Sequence, residues 1–187
     1  AWTLPTALRA LESISADKIN ILCLEQPVME FEALKSVRSR SNIPIGVNEL
    51  LDSPQSVVHC ASAGVADVYV LDMYEVGGLR RLSYLSQFLT DANLSVCCRA
   101  HGGSSLSYLA SLQILSTSIG NLGSHQYYDN SGEQDLVAWN PVLQNGTVQL
   151  PNGPGIGLDP NPDAVQDFAS RYKAGEVFSI YANKPGT

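Results

Sequence analysis

Short apolar runs alternate, over the first two thirds of the chain, with longer segments whose apolar residues recur every three or four positions. The runs predict strands and the periodic segments predict helices, because side chains repeat every two residues in a strand and every 3.6 in a helix. We expect strands over residues 19–25, 43–49, 68–73, 94–99 and, in a more polar stretch, 119–125. Helices are predicted from Thr3, over 31–40, over 53–63, from Leu79, and over 106–115. This alternation is typical of a parallel α/β fold.

The character of the sequence changes at Tyr127, after which Gly, Pro and Asn become frequent. Asn145-Gly146 lies between short apolar runs, and this dipeptide is a strong hairpin signal. Residues 151–155 predict a loop, and the C-terminal tail with Pro185 is expected to run over the surface.

Three acidic residues lie at the ends of the first three predicted strands: Glu25, Glu49 and Asp72. Parallel strands deliver their carboxyl ends to one edge of a sheet, where gathered acids repel one another unless a cation or a proton compensates them. A divalent metal site is therefore the first functional hypothesis. Acids at several strand ends are also typical of a TIM barrel, whereas no glycine-rich nucleotide-binding motif follows a strand. The predicted fold class is α/β, a partial TIM (β/α) barrel of about five units.

Composition limits the other possibilities. The chain has 187 residues and a formal net charge of −7, which argues against nucleic acid as a partner, since phosphate binding needs clustered Lys and Arg. It contains neither an apolar run long enough to span a membrane nor a recognisable signal peptide. The four cysteines lack zinc-type spacing, and adjacent Cys97 and Cys98 predict buried free thiols, which favours a cytoplasmic location. Two N-x-[ST] triplets, at Asn93 and Asn145, point weakly the other way.

Several motifs in order carry a family resemblance: Leu24-Glu25-Gln26-Pro27, the IPIGVNE of residues 43–49 and the DVYVLDMYEVGGL of residues 67–79. With the strand at 94–99 and the PGIGL of residues 154–158, they resemble the barrel domain of the mandelate racemase/muconate-lactonizing family of the enolase superfamily.

The resemblance implies a division of the chain. Residues 1–126 would form the barrel from its third helix to its eighth strand, roughly the last five units. Residues 127–187 would form a C-terminal extension, with a hairpin and a surface tail, that returns toward a capping domain. That capping domain and the first barrel strands are expected to lie outside this sequence.

The resemblance also implies a Mg²⁺ site. In this family, acids at the ends of the third, fourth and fifth strands hold the metal, which stabilises the enediolate formed when a base removes the proton α to a carboxylate. Glu25 matches the fourth-strand ligand. Glu49 matches the fifth-strand ligand of the racemase and sugar-acid dehydratase branches, and Asn48 matches that of other branches. The third-strand aspartate would precede Ala1.

Asp72 matches a family position that carries either a catalytic lysine or an aspartate orienting a seventh-strand histidine. Arg99 stands in place of that histidine, and could bind a substrate carboxylate or pair with Asp72. His101, two residues on, would share its face and could serve as the base, or could be a loop histidine. Gln126 matches an eighth-strand acid and could hydrogen-bond an enediolate.

The implied function is Mg²⁺-dependent proton abstraction α to a carboxylate, most directly dehydration of a hydroxy acid or sugar acid. A racemase, epimerase or cycloisomerase of the same family is the first alternative. A non-catalytic binding or assembly protein is the second, because Asn48, Arg99 and Gln126 each replace a chemically active residue of at least one branch. The expected partners are a small-molecule carboxylate and further copies of the chain in a homo-oligomer, with no nucleic acid and no membrane.

Overall fold

A computed structural model describes residues 1–99, 104–118, 120, 124–126, 136–139 and 143–176. Its helices are α1 (Leu4–Ala16), α2 (Phe31–Arg40), α3 (Pro54–Ala63), α4 (Leu79–Asp91), α5 (Ser105–Leu115) and α6 (Pro162–Lys173). Its strands are β1 (Leu24–Glu25), β2 (Ile45–Val47), β3 (Val68–Leu71), β4 (Ser95–Cys98), β5 (Leu143–Gln144) and β6 (Thr147–Val148). In this part of the chain, no helix is both long enough and apolar enough to cross a membrane.

The first four strands form one parallel sheet in the order β1-β2-β3-β4. Each strand pairs with the next one along the chain, with a helix between them. A doubly wound sheet reverses its strand order at a switch point, whereas a barrel does not. The order therefore supports the barrel interpretation, and the assignment of these strands to the fourth to seventh barrel units remains a prediction.

The predicted strands are longer than the observed ones. β1 spans two residues rather than the predicted 19–25, and Ile19 and Leu22 are about half exposed, at 52% and 56%. The prediction was wrong there because apolar composition alone does not supply a hydrogen-bonding neighbour. β2 stops at Val47, and the chain turns at Glu49.

The predicted strand over 119–125 lies largely outside the described residues. Gly120 within this stretch and Gln126 directly after it contact β4 through the backbone, since Val96 N–H donates to Gly120 O (3.0 Å) and Gln126 N–H donates to Cys98 O (3.1 Å).

Alternation along the strands gives the sheet two different faces. Tyr69 and Leu71 of β3 belong to the main core, which α1 to α4 cover with apolar side chains such as Leu34 and Leu82. The intervening residues of the same strand join a smaller cluster on the opposite face, made of Val68, Val70 and Cys97 with Cys23 against it. Polar residues at the carboxyl ends of the strands continue the alternation on this second face: Glu25, Asn48, Asp72 and Arg99.

Local signals explain where α3 begins and ends. Ser53 and Ser56 form a reciprocal capping box, Pro54 occupies the first turn, and Gly64 ends the helix in the left-handed conformation (φ +64°). Glycine tolerates this conformation at little cost. α3 thus follows directly from the turn that contains Glu49.

Contacts divide the chain into two compact units, residues 1–99 with 114–126, and residues 100–113 with 127–187. The second contains the predicted hairpin, whose turn residues Asn145 and Gly146 both have positive φ. It also contains α6, which the prediction of a loop and surface tail missed. The side chain of Asn161 caps α6 by accepting from the N–H groups of Asp163 and Ala164.

Candidate functional site

Strand alternation brings four polar side chains to the carboxyl edge of the sheet on the face of the small cluster. Glu25 continues the alternation of Cys23, and Asn48 continues that of Gly46. Asp72 follows Val70 in β3, and Arg99 follows Cys97 in β4. Because parallel strands end at one edge, residues far apart in sequence meet there. All of these residues, and Gln126, belong to the first compact unit.

A chain of hydrogen bonds joins four side chains in the order Gln126, Glu25, Asn48 and Arg99. Gln126 Nε2 donates to Glu25 Oε2 (2.9 Å), and Asn48 Nδ2 donates to Glu25 Oε1 (2.6 Å). Arg99 Nη1 donates to Asn48 Oδ1 (2.8 Å). Both carboxylate oxygens of Glu25 and both polar atoms of the Asn48 amide are therefore engaged.

Arg99 extends this network to two further acids. Its Nε lies 3.7 Å from Asp72 Oδ2, and its Nη2 lies 3.9 Å from Glu75 Oε1. Asp72 is buried and also accepts from the N–H of Tyr74 at 2.8 Å, whereas Glu75 is half exposed. Arg99 Nε is buried and finds no hydrogen-bond partner among the described residues. Nε and Nη2 of Arg99 thus lie at ion-pair distance from these two acids, beyond hydrogen-bond distance.

Gln26 holds the backbone of Asn48 in place through a side-chain hydrogen bond, although the sequence analysis did not single it out. Its Oε1 accepts from the Asn48 N–H, and its Nε2 donates to Val28 O, both at 2.8 Å. Its φ of +37° is unusual for a residue other than glycine and turns the chain at the end of β1. The signal was its place beside Glu25 in the Glu-Gln-Pro motif.

His125 ties the segment before Gln126 to β4. Its Nδ1 accepts from the Cys98 N–H (3.0 Å), which requires that Nδ1 carry no proton. Burial lowers the pKa of His125 and so favours the same neutral form. His125 is thereby a structural neighbour of the site.

An apolar floor of Cys23, Val68, Val70 and Cys97 lies below the polar edge. Burial, with the nearby charge of Glu25, raises the pKa of Cys23 to about 11 and that of Cys97 to about 12. All four cysteines of the chain are free thiols, as predicted. A Cβ atom on Gly46 would lie 2.8 Å from Cys23 Sγ and 3.3 Å from Glu25 Cα, so this glycine sets the spacing of β1 and β2.

One predicted site residue does not join this arrangement, and another cannot be placed in it. Glu49 is exposed in the turn after β2, because alternation directs its neighbour Asn48, and not Glu49, to the Glu25 face. The three strand-end acids therefore do not converge. His101 lies outside the described residues.

The donor set of the described residues does not fit Mg²⁺. A hexacoordinate Mg²⁺ ion requires several free oxygen ligands, usually including one or two carboxylates. Glu25 is the one carboxylate in direct contact with Asn48, and the amide oxygen of Asn48 already accepts from Arg99. Within the described ranges, no three His, Cys, Asp or Glu side chains come together in a way that could hold a metal ion.

A cavity lies at the opposite edge of the sheet. Its volume is about 360 Å³, and it lies among residues before β2 and at the starts of β3 and β4, including Pro44, Asp67 and Ser95. Asp67 pairs there with Arg38 at 2.7 Å and accepts from the Ile45 N–H. The cavity lies at the amino ends of the strands, whereas the network around Arg99 lies at their carboxyl ends.

Comparison with known proteins decides the family. Residues 1–164 match the family model described as enolase C-terminal domain-like. The chain belongs to this family, within the enolase superfamily. The resemblance to the mandelate racemase/muconate-lactonizing family that was inferred from motifs is thereby confirmed.

Relatives of this enolase-superfamily chain include several enzymes. It is 24% identical over 172 residues to a cis-3-hydroxy-L-proline dehydratase from Roseibium aggregatum, covering 91% of this chain and 46% of that protein. It is 29% identical over 177 residues to a chloromuconate cycloisomerase from Cupriavidus pinatubonensis, covering 90% of this chain and 46% of the relative. The chain therefore spans about half the length of these relatives.

Solved structures share the fold. An isomerase from Streptomyces coelicolor A3(2) superposes with a TM-score of 0.79 at 21% identity, over 91% of this chain and 45% of that one. An enolase from Thermobispora bispora, complexed with magnesium and formate, gives a TM-score of 0.78 at 18% identity, over 95% of this chain and 42% of that one. At these identities the likeness concerns the fold alone.

Proposed function

We propose that the protein carrying this chain acts on a small-molecule carboxylic acid, by moving the proton on the carbon next to the carboxylate. The observation that carries the proposal is the continuous polar network from Gln126 through Glu25, Asn48 and Arg99 to Asp72. It lies at the edge of the sheet where barrel enzymes bind their substrates. Membership of the enolase superfamily supports the same reaction class.

Dehydration of a hydroxy acid is the leading reaction. A base takes the α-proton, and the electron pair left on the carbon forms a double bond as the β-hydroxyl leaves with a proton as water. Similarity to a hydroxyproline dehydratase supports this choice. Return of the proton to the opposite face of the carbon would instead give a racemase or epimerase, and similarity to cycloisomerases supports isomerase chemistry as the alternative.

The residues take the following roles in this proposal. His101 is the base, and buried Asp72 faces the Arg99 guanidinium and compensates its charge. Arg99 holds the substrate carboxylate through Nη2, which lies 3.9 Å from Glu75 Oε1, because a guanidinium is suited to carboxylates. Gln126 donates to the developing enediolate. Magnesium at Glu25 and Glu49, implied by the family resemblance, receives no support from the donor set described above, and no step proposed here runs through it.

Solvent exchange tests the reaction class. The full-length protein that carries this chain is incubated in D₂O with sugar acids, amino acids and aromatic hydroxy acids, and α-proton loss is followed by NMR. We expect exchange with at least one class. His101→Asn should abolish it, while His59→Asn, a matched change at an exposed position on α3, should retain it. Absence of exchange across the panel would contradict the proposal, and exchange that survives in His101→Asn would remove His101 as the base.

Non-catalytic binding of a carboxylate is the second candidate. Its specific support is that Asn48 and Arg99 bond to each other at positions where family branches carry a metal ligand and a base. Calorimetric binding of an acid that undergoes no exchange would favour this candidate.

A further inference from the structure

We infer that the guanidinium of Arg99 serves as the fixed cation of this site, in place of a divalent metal ion. The relevant observation is its position among three side chains that follow two neighbouring strands, β2 and β3. It donates to Asn48 Oδ1 at 2.8 Å and lies within 4.0 Å of acids at positions 72 and 75. The inference concerns the site of the proposed function, and its consequence for a bound substrate rests on that function.

The orientation of the Asn48 amide is fixed by charge on both sides. Its oxygen faces the positive guanidinium of Arg99, and its NH₂ faces the negative carboxylate of Glu25. Reversing the amide would place donor against donor and acceptor against acceptor. The oxygen that a metal ion would need is therefore directed at Arg99 and away from Glu25.

Both carboxylate oxygens of Glu25 already accept a hydrogen bond in this arrangement. Asn48 and Gln126 each donate to one of its two oxygens. A metal ion at Glu25 would have to share these oxygens with both donors and would lie one side chain away from a permanent positive charge. An arginine keeps its proton throughout the physiological pH range, so this repulsion cannot be relieved by titration.

Arg99 is also held in place by its surroundings. Its side chain is only 13% exposed, and the buried Asp72 carboxylate faces its Nε. Removing a buried charge from such a pair is unfavourable, because it leaves the partner charge uncompensated. The guanidinium is therefore a built component of the site, and under the proposed function it is the group that stabilises negative charge developing on a bound carboxylate.

Manganese binding tests the inference directly. Mn²⁺ uses the same carboxylate and carbonyl oxygens as Mg²⁺, and its free ion gives an EPR signal. We expect the full-length wild-type protein to leave that signal unchanged up to about 1 mM Mn²⁺, a range that covers ordinary metalloenzyme affinities. We also expect its Tm to be equal in excess Mg²⁺ and in EDTA, since a ligand that binds the folded state raises Tm. Mn²⁺ binding or a Mg²⁺-dependent rise in Tm, lost in Glu25→Gln, would overturn the inference.

A single and a double variant at positions 48 and 99 test the competing charge of Arg99, and the double variant is the positive control. Asn48→Asp alone should gain no Mn²⁺ affinity, because the new carboxylate pairs with Arg99. Asn48→Asp combined with Arg99→Gln places a second carboxylate beside Glu25 and removes the competing charge, and should bind Mn²⁺ at least about tenfold more tightly than wild type. Arg80→Gln, an exposed arginine on α4, controls for the loss of one positive charge and should change nothing. A folded double variant that binds no better than wild type would also overturn the inference.

Exchange of the substrate α-proton, measured once in Mg²⁺ and once in EDTA, separates this inference from the proposed function. Equal α-proton exchange in EDTA and in Mg²⁺ supports both. Exchange in Mg²⁺ alone supports the function and overturns the role of Arg99. Absence of exchange together with absence of Mn²⁺ binding contradicts the function and leaves the inference standing.

Discussion

Asn48 and Arg99 are 51 positions apart in the chain, and Arg99 Nη1 donates to Asn48 Oδ1 at 2.8 Å. The contact exists because β2 and β4 flank β3 and end at the same edge. Because Asn48 also donates to Glu25, its amide links the Glu25 carboxylate to the Arg99 guanidinium.

Removing this amide should destabilise the protein. Asn48→Ala leaves Arg99 Nη1 and Glu25 Oε1 without their described partner, and we expect a loss of about 1–3 kcal/mol in the free energy of unfolding. Urea denaturation measures this loss. Asn42→Ala, at an exposed position near the other edge, should change it by less than about 0.5 kcal/mol. Equal effects at the two positions would contradict the role assigned to Asn48.

Gly46 should not tolerate a side chain. The Cβ atom of Gly46→Ala would meet Cys23 Sγ at 2.8 Å, and such overpacking costs about 1–3 kcal/mol of unfolding free energy. Cys23→Ala removes the sulfur. In that background, Gly46→Ala should therefore cost at least about 0.5 kcal/mol less, which a double-mutant cycle measures. Identical costs in the two backgrounds would show that the Sγ contact is not the cause.

Gln26 should matter more than an ordinary glutamine. Gln26→Ala deprives the Asn48 N–H and Val28 O of their partner inside a buried site, with an expected loss of about 2–3 kcal/mol. Gln87→Ala on the exposed face of α4 removes one surface hydrogen bond and should cost less than about 0.5 kcal/mol. Thermal or urea unfolding of the two variants tests this contrast.

His125 should contribute a pH-dependent part of the stability. Its folded-state pKa is lowered from the ordinary 6.5 by burial, so the unfolded chain binds the proton more readily. The contribution is fully present above pH 6.5 and is lost as pH falls from there toward the lowered folded-state pKa. The loss has a slope of at most about 1.4 kcal/mol per pH unit.

His125→Asn keeps an acceptor for the Cys98 N–H and cannot titrate. The difference in unfolding free energy between wild type and His125→Asn should therefore shift in favour of the variant between pH 6.5 and 5. A pH-independent difference would mean that His125 has an ordinary pKa in the folded protein.

Much of the fold could be predicted because its causes are local. Helical periodicity placed α1 to α5, and the Asn145-Gly146 signal placed the hairpin. The α6 helix was missed because Gly and Pro on both sides suggested a loop, although Asn161 and Pro162 together form a standard helix start. The short β1 shows the converse error, where apolar composition predicted more strand than pairing allows.

The site was only partly predictable. Period-two alternation can place Glu25, Asp72 and Arg99 on one face from sequence alone. Alternation equally separates Asn48 from Glu49, yet the family resemblance favoured the carboxylate of Glu49. Which donor meets which acceptor depends on strand register, and register is a property of the folded sheet. The Arg99–Asn48 bond could not have been inferred without it.

The thiols of the small apolar cluster below the network can report opening of this sheet through their rate of alkylation. Cys23 and Cys97 lie there with pKa values raised to about 11 and 12, so neither forms the reactive thiolate at neutral pH while the sheet is closed. Alkylation of the buried Cys97 thiol therefore requires an opening event, and its rate gives the free energy of that opening when closing is fast. Alkylation kinetics with and without candidate acids would then show whether a ligand clamps the strands together, without knowledge of the reaction and without any introduced label.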